Sequence, residues 1–345
     1  MTRALLGRTG LSVPRVIFGT SSLGNLYRAL PYESKREIVG ECLARVGAPV
    51  VFDSAGKYGA GLALETLGRA LRDLGARPAD VLISNKLGWM RVPLRTPEPT
   101  FEPGAWKDLE HDAEQRIDAE GIIRCWRQGN ELLGPGFEAR LVSVHDPDEY
   151  LGAAAGDADR RRRFGQVLDA YGALGDLRSR GEARAVGVGS KDWTVIREIA
   201  DSVDLDWAML ACSLTVYRHP GELLDFVERL RAGGVGIVNS AVFHAGFLTG
   251  GEFFDYRRPD PAVDGELFAW RERFLALCSR HDVSPSAACV RFALSPPGVA
   301  AVSLNTSRAE RVADNAALAD VDIPARFWNA LKDAGLVARS YPYLG

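Results

Sequence analysis

Four polar residues stand at the ends of three consecutive apolar runs of the sequence. Asp53 and Tyr58 follow one run, Lys86 follows the next and His145 ends the third. In barrels of parallel strands, catalytic groups lie at the C-terminal ends of the strands. The sequence therefore predicts that a carboxylate, a phenol, an ammonium and an imidazole meet at one mouth.

The chemistry that such a group favours is proton transfer by Tyr58. A free phenol titrates near pH ~10, so it moves protons slowly at neutral pH. We expect the Lys86 ammonium to lower the pKa of Tyr58, and Asp53 to keep that ammonium charged. His145 would hold a substrate oxygen or share the proton transfer. Taken singly, each residue also fits a structural role, so the prediction depends on their joint position.

The elements that must position these residues are eight short β-branched runs, each followed by a segment of helical periodicity. The predicted strands are 15–19, 50–54, 81–85, 141–145, 185–189, 207–212, 236–240 and 300–304. The predicted helices are 33–46, 62–74, 116–133, 160–180, 192–201, 220–232, 285–294 and 308–318. Eight such units without a dividing linker predict an α/β fold, a (β/α)8 TIM barrel in a single domain over residues 1–345. An open doubly wound sheet is the alternative.

Four further segments lie outside the repeat. Residues 5–11 predict an N-terminal β-hairpin that caps one end, and residues 324–334 predict an extra C-terminal helix. Two long segments rich in Gly and Pro, 90–115 and 246–265, follow strands and are either lids over the site or packed surface excursions.

Composition narrows the class of function. The net charge is -3, and the basic run 160–163 is predicted to lie on a solvated helix face, so nucleic acid is not an expected partner. The five cysteines are scattered without a C-x-x-C pair, which is typical of free thiols in the cytoplasm. We expect no signal peptide and no membrane span. His111, His219, His244 and His281 show no metal-ligand spacing, so no metal is expected.

Motifs spread over the chain resemble those of the aldo-keto reductases. They are Leu6 to Val13 (LGRTGLSV), Phe18 to Thr20 (FGT), Asp53 with Tyr58, Asn85 to Gly88 (NKLG) and Val144 to Asp148 (VHDPD). The resemblance implies a catalytic tetrad of Asp53, Tyr58, Lys86 and His145, with direct hydride transfer to or from a nicotinamide. Segments 239–248 and 323–336 are most similar to the branch that includes D-threo-aldose (L-fucose), L-galactose and pyridoxal dehydrogenases.

The resemblance also implies a dinucleotide across the mouth, without a Rossmann domain. The implied cofactor contacts are Gly19, Thr20, Asp53, Ser190, Lys191, Ser240, Asn305, Ser307, Arg311 and Asn315. Lys191 departs from the usual asparagine, Ser240 from a stacking tyrosine, and Leu210 from a glutamine. Asn305 replaces the lysine of many NADP-preferring relatives, so either NAD preference or dual use of NAD(P)(H) is expected.

The function that these observations predict is that of an NAD(P)-dependent aldose 1-dehydrogenase of the L-fucose or L-galactose type. A broad-specificity NADPH-dependent aldehyde or ketone reductase is the alternative, and a non-catalytic nucleotide-sensing subunit is a third, against which the filled tetrad weighs. The expected partner is a small-molecule substrate. The protein itself is expected to be a monomer or weak homo-oligomer. Trp89 and Trp126 could stack on a sugar or belong to the core.

Overall fold

The eight predicted strands lie side by side in a closed parallel barrel. The computed structural model describes residues 2–345. In chain order the strands are β1 (Arg3–Leu5), β2 (Ser12–Pro14), β3 (Val16–Gly19), β4 (Val50–Ala55), β5 (Val81–Leu87), β6 (Trp89–Pro93), β7 (His111–Gln115), β8 (Ala139–His145), β9 (Ala185–Ser190), β10 (Trp207–Ala211), β11 (Gly236–Ser240) and β12 (Val299–Leu304). The barrel order is β3-β4-β5-β8-β9-β10-β11-β12, and the pairing of Val302 with Val16 closes it. The predicted TIM barrel is confirmed, and the open sheet is wrong.

Helices cover the outside of this barrel. They are α1 (Tyr32–Arg45), α2 (Leu62–Asp73), α3 (Ala119–Leu133), α4 (Pro147–Gly152), α5 (Asp157–Ser179), α6 (Trp193–Ala200), α7 (Gly221–Ala232), α8 (Gly265–Arg280), α9 (Pro285–Ala293), α10 (Arg311–Ala317) and α11 (Ala325–Asp333). The eight predicted connecting helices and the C-terminal helix are all present. Within residues 2–345, none of the helices has the length and apolar character needed to cross a bilayer.

Alternation along β4 decides which of its side chains reach the barrel interior. Val50 and Phe52 pack outward against the helices, whereas Val51 belongs to the interior cluster. Successive side chains of a strand point to opposite faces, so Asp53 shares the inward face of Val51. A buried carboxylate therefore faces the barrel interior near the C-terminal end of β4.

The same alternation operates on β5 and β8. Leu82 on β5 and Leu141 on β8 belong to the interior cluster. Lys86 and His145 stand an even number of residues further along the same strands, so they also face inward. Because the strands are parallel, these polar ends gather at one mouth of the barrel.

The opposite end of the barrel is closed by an antiparallel hairpin of β1 and β2. Leu6, Leu11 and Val13 pack with the interior cluster and plug that end. Gly7 adopts φ +53°, and a Cβ there would lie 2.3 Å from the carbonyl oxygen of Gly234, so the turn requires glycine. The predicted capping hairpin is confirmed.

The two long excursions contain structure that the sequence reading missed. In the first, β6 and β7 pair antiparallel and extend from the mouth. The second leads into α8, which packs with α9 and α11 around an aromatic core. The buried residues of α8 (Leu267, Trp270, Phe274, Leu277 and Cys278) have helical spacing that could have predicted the helix. The short helix α4 begins at Pro147, a favoured first helical position.

Candidate active site

The mouth of the barrel holds a buried ion pair beneath a tyrosine. Lys86 Nζ lies 2.6 Å from Asp53 Oδ2 and also donates to the carbonyl oxygen of Ser54 at 3.1 Å. The hydroxyl of Ser84 donates to Asp53 Oδ1 at 3.1 Å. Asp53 and Lys86 are each only 2% exposed. A lysine so placed keeps its charge because the carboxylate compensates for lost hydration.

Tyr58 stands over this pair in the loop between β4 and α2. Lys86 Nζ lies 4.5 Å from the centre of its ring, and the His145 ring meets it edge-on at 5.8 Å between centroids. A close backbone approach fixes the loop: a Cβ on Gly59, which has φ +61°, would lie 2.3 Å from the carbonyl oxygen of Gly24. The structure therefore brings together all four residues of the predicted tetrad.

The electrostatics of Tyr58 differ from the sequence expectation. Burial raises the pKa of Tyr58, and the Lys86 ammonium, which favours the phenolate, only partly opposes that effect. Lys86 lowers the pKa of Tyr58 as expected, but burial outweighs this contribution and the net shift is upward. The sequence identified the correct partner, but it could not weigh that partner against the desolvation of the ring.

Lys86 and His145 are shifted in opposite directions. Burial acts to lower the pKa of Lys86, but the Asp53 carboxylate, followed by Tyr58, outweighs it and the net shift is upward. Burial, and then the charges of Lys86 and Lys57, hold the pKa of His145 well below its usual range. At neutral pH the site thus contains a charged lysine, a neutral imidazole and a protonated phenol.

A second buried lysine lies next to the first. Lys57 is 2% exposed, and its Nζ contacts Asp146 Oδ2 at 2.7 Å, Glu102 Oε1 at 2.8 Å and Glu149 Oε2 at 2.9 Å. Burial acts to lower the pKa of Lys57, but these three carboxylates outweigh it and raise the pKa. Lys191 joins the cluster through Glu149 Oε1 at 2.6 Å. Sequence reasoning missed this cluster, because Glu102 lies in an excursion whose path a strand pattern does not show.

A cleft of about 510 Å³ opens beside the tetrad. Nine of the ten predicted cofactor contacts line it: Gly19, Asp53, Ser190, Lys191, Ser240, Asn305, Ser307, Arg311 and Asn315. The structure does not place Thr20 there, since this residue is buried and its hydroxyl donates to Ser54 Oγ at 2.8 Å. Trp89 and Trp126 also lie outside the cleft, packed against aromatic and apolar neighbours.

Several lining residues were missed by the sequence reading. They are chiefly Ser21, Ser22, Tyr27, Arg28, Arg308 and Tyr256. The two serines directly follow the motif Phe18 to Thr20, so continuing the motif into its loop could have found them. Above the cleft, Tyr27 stacks on Phe253 at 4.3 Å between ring centroids. The loop after β3 and the excursion after β11 therefore meet over the opening.

The donor set of the cleft suits a dinucleotide. Hydroxyl and amide side chains line its length, and Arg308 and Arg311 add cations near β12. Guanidinium groups bind phosphate through paired hydrogen bonds, and serine hydroxyls and backbone amides contact ribose and diphosphate oxygens. Gly19, at the end of β3, contributes backbone without a side chain to the wall of the cleft. The residues present therefore fit a nicotinamide dinucleotide.

Comparison with known proteins identifies the class. A model of the Aldo/keto reductase family matches residues 15–335, and the chain belongs to this family. It is 29% identical over 351 residues to pyridoxal 4-dehydrogenase of Microbacterium luteolum, covering 96% of this chain and 97% of that protein. It is 28% identical over 346 residues to D-threo-aldose 1-dehydrogenase of a Pseudomonas species, covering 97% and 98%.

The fold has solved counterparts in the same class. The chain matches an aldo-keto reductase of Bacillus halodurans in its holo form with a TM-score of 0.71 at 18% identity, covering 99% of each chain. That likeness shows the barrel fold. Family membership, together with the dehydrogenase relatives, makes the chain an NAD(P)-dependent oxidoreductase that acts on CH–OH or carbonyl groups.

Proposed function

We propose that this enzyme is an aldose 1-dehydrogenase of the L-fucose or L-galactose type, with Asp53, Tyr58, Lys86 and His145 as its catalytic tetrad. The observation that carries the proposal is the Lys86–Asp53 pair under Tyr58, with a neutral imidazole beside it. The relative that acts on D-threo-aldose matches nearly end to end and supports the substrate class.

The proposed mechanism assigns proton transfer to Tyr58. Residues of the cleft such as Ser190, Asn305 and Arg311 would hold a nicotinamide dinucleotide, which would supply or accept the hydride. In carbonyl reduction the Tyr58 hydroxyl donates its proton to the substrate oxygen, and the Lys86 ammonium stabilises the resulting phenolate. In alcohol oxidation the phenolate accepts that proton. The neutral His145 ring holds the substrate oxygen by a hydrogen bond from its N–H group. Because the ring is uncharged, it does not add a second positive charge beside Lys86.

The polar wall of the cleft supports a hydroxylated substrate. Near the tetrad it presents Tyr27, Arg28, Lys191, Asp255 and Tyr256, which supply both donors and acceptors. Ring hydroxyls of a sugar can donate to and accept from such groups, whereas a simple alkyl aldehyde has no hydroxyl to offer them. This difference favours a sugar over the broad-specificity reductase reading.

The proposed cofactor preference is for NAD, with some use of NADP. Asn305 has no charge, and its Oδ1 accepts a hydrogen bond from the backbone N–H of Ser22 at 3.2 Å. Arg308 and Arg311 line the same end of the cleft and supply the cations that a 2′-phosphate would need. Fluorescence titration of both reduced cofactors tests this preference, and a much lower Kd for NADPH would overturn it.

A substrate screen tests the proposed activity. We expect NAD reduction with L-fucose, L-galactose or a related aldose at a higher kcat/KM than with simple alcohols. Pyridoxal is the necessary comparison, since a relative acts on it. Efficient reduction of many aldehydes with NADPH and no sugar oxidation would replace the proposal by the reductase reading. Binding of the dinucleotide with no turnover of any substrate would favour the sensor reading.

Two further expectations remain proposals. The five cysteines are all free and buried, which suits the cytoplasm as the proposed location. The chain is proposed to act as one domain over residues 1–345, as a monomer or weak homo-oligomer. Sedimentation of the purified protein measures the oligomeric state.

A further inference from the structure

A cluster of three potential metal ligands lies on the wall of the cleft. Cys212 follows β10, His244 lies in the loop after β11, and Asp255 lies in the excursion that precedes α8. Their ligand atoms all lie within 4.8 Å of one another. Cys212 is 4% exposed and His244 is fully buried. Sequence spacing does not group these residues, because each comes from a different segment.

Both ring nitrogens of His244 have a polar partner, and a metal bound at Nδ1 would replace the hydrogen bond to Asp255 while Thr215 still held Nε2. The Nδ1 of His244 lies 2.9 Å from Asp255 Oδ1, and its Nε2 lies 2.9 Å from Thr215 Oγ1. Metal-binding histidines generally use one ring nitrogen for the metal and the other for a hydrogen bond that fixes the ring. Thr215 Oγ1 also accepts from the backbone N–H of Arg218 at 3.0 Å, which holds the hydroxyl in place. The contact of Thr215 with Nε2 therefore fixes the orientation of the imidazole ring.

The backbone is in an unusual conformation at all three residues of the cluster. Cys212, His244 and Asp255 adopt φ of 58°, 47° and 44°, in the left-handed region that residues other than glycine seldom occupy. Such conformations persist where surrounding structure enforces them, and they gather at functional sites. All three members of this cluster share the feature, although they lie on separate segments.

We propose that Cys212, His244 and Asp255 form a binding site for Zn²⁺ or a similar divalent transition-metal ion. The fourth coordination position of the ion would be open to the cleft. Thiolate, imidazole and carboxylate are the ligands that Zn²⁺ takes in proteins, and three protein ligands with one open position are its usual accessible arrangement. Tetrahedral bonds of about 2.0–2.3 Å place ligand atoms roughly 3.3–3.7 Å apart. His244 Nδ1 and Asp255 Oδ1 are 2.9 Å apart and all three ligand atoms lie within 4.8 Å, so side-chain shifts of about 1 Å reach that geometry.

Metal coordination requires the release of one proton, and the ligands neutralise the charge of the ion. The Cys212 thiol gives its proton to solvent as sulfur binds the metal. The His244 ring would bind the metal through Nδ1, with Nε2–H donating a hydrogen bond to Thr215 Oγ1. With a thiolate and a carboxylate, the two negative charges of the site neutralise the ion.

Metal in this site would oppose cofactor binding. Cys212 and Asp255 line the cleft, and the backbone N–H of Cys212 donates to the carbonyl oxygen of Ser240 at 3.1 Å. An ion held there narrows the cleft beside Ser240. This second effect rests on the proposed dinucleotide site, whereas metal binding itself does not.

Direct binding of ZnCl2 and CoCl2 to tag-free protein, without cofactor, tests the site. Calorimetry is expected to show one Zn²⁺ per chain, and Co²⁺ is expected to give a thiolate charge-transfer band. Cys212→Ala should abolish the band and weaken Zn²⁺ binding more than about tenfold, since loss of outer-shell support alone costs about that much. Thr215→Val keeps all three ligands and should weaken binding by roughly tenfold.

Matched controls separate this site from surface binding. His281→Asn removes a partly exposed histidine elsewhere, and Cys278→Ala removes a buried thiol of the aromatic core. Both should bind Zn²⁺ and Co²⁺ as the wild type does, provided that circular dichroism shows them folded. No Zn²⁺ binding by the wild type, or equal binding by Cys212→Ala, would overturn the proposal. Zn²⁺ that binds without raising the Kd for NADH would remove the second effect alone.

Discussion

Two lysines, Lys86 and Lys57, are equally buried at the mouth of the barrel, yet their surroundings differ. Lys86 faces one carboxylate, Asp53, and the ring of Tyr58. Lys57 is surrounded by three carboxylates. The positive charge of a lysine with one carboxylate partner can still stabilise a new negative charge nearby. The positive charge of a lysine with three carboxylate partners is already more than neutralised. The comparison assigns chemistry to the first lysine and attachment of the β6–β7 excursion to the second.

Loss of the Tyr58 hydroxyl should have the largest effect. Tyr58→Phe removes the proposed proton donor while keeping the ring, so kcat is expected to fall about 10²–10⁴-fold. The Kd for NADH should change little. Stopped-flow turnover and cofactor fluorescence measure the two effects. Tyr32→Phe, which removes an exposed hydroxyl bonded to Asp73, is the matched control and should keep wild-type turnover.

Loss of the Lys86 charge should follow in size. Lys86→Met removes the ammonium that stabilises the phenolate, and kcat is expected to fall about 10²–10³-fold. It also leaves Asp53 buried without its partner, so the free energy of unfolding should drop by roughly 3–5 kcal/mol. The double variant Asp53→Asn with Lys86→Met should recover stability but no turnover. Recovery of both would mean that the pair is structural.

Loss of the Lys57 charge should separate stability from chemistry. Lys57→Met leaves Asp146, Glu149 and Glu102 close together with only the partly exposed Lys191, paired to Glu149, as a nearby cation. The free energy of unfolding should fall by about 3–5 kcal/mol. In the folded fraction, kcat should fall less than about tenfold, because Lys57 does not contact the Tyr58 ring. Urea unfolding and turnover at low temperature measure the two. A turnover defect equal to that of Lys86→Met would remove the distinction between the lysines.

The smallest effect is expected from the excursion itself. Glu102→Gln weakens one of three contacts to Lys57, with a cost of about 1–2 kcal/mol in the free energy of unfolding. Hydrogen exchange should increase in residues 94–110 and leave the barrel strands unchanged. Glu98→Gln, an exposed neighbour on the same excursion, is the matched control. Equal exchange in both variants would show that Glu102 does not anchor the segment.

The sequence predicted the barrel and the tetrad because both follow from local pattern. On β4, β5 and β8 every second side chain faces the barrel interior, and the three strands run parallel. These two features are enough to bring Asp53, Lys86 and His145 together. The lowering effect of Lys86 on the pKa of Tyr58 was predicted, but the net direction was not, because it depends on how much of the ring is buried. The partners of Lys57 and the grouping of Cys212 with His244 depend on the paths of long loops, which periodicity does not encode.

The pH dependence of sugar oxidation tests the central claim most directly. Because burial raises the pKa of Tyr58, the phenol stays protonated through neutral pH, and kcat/KM for oxidation should climb as alkaline pH removes that proton. The low pKa of His145 predicts no inflection near 6.5. Lys86→Met should move the alkaline inflection upward by more than about one pH unit, while Lys57→Met leaves it in place. An unmoved inflection in Lys86→Met, or an equal shift in Lys57→Met, would contradict the account.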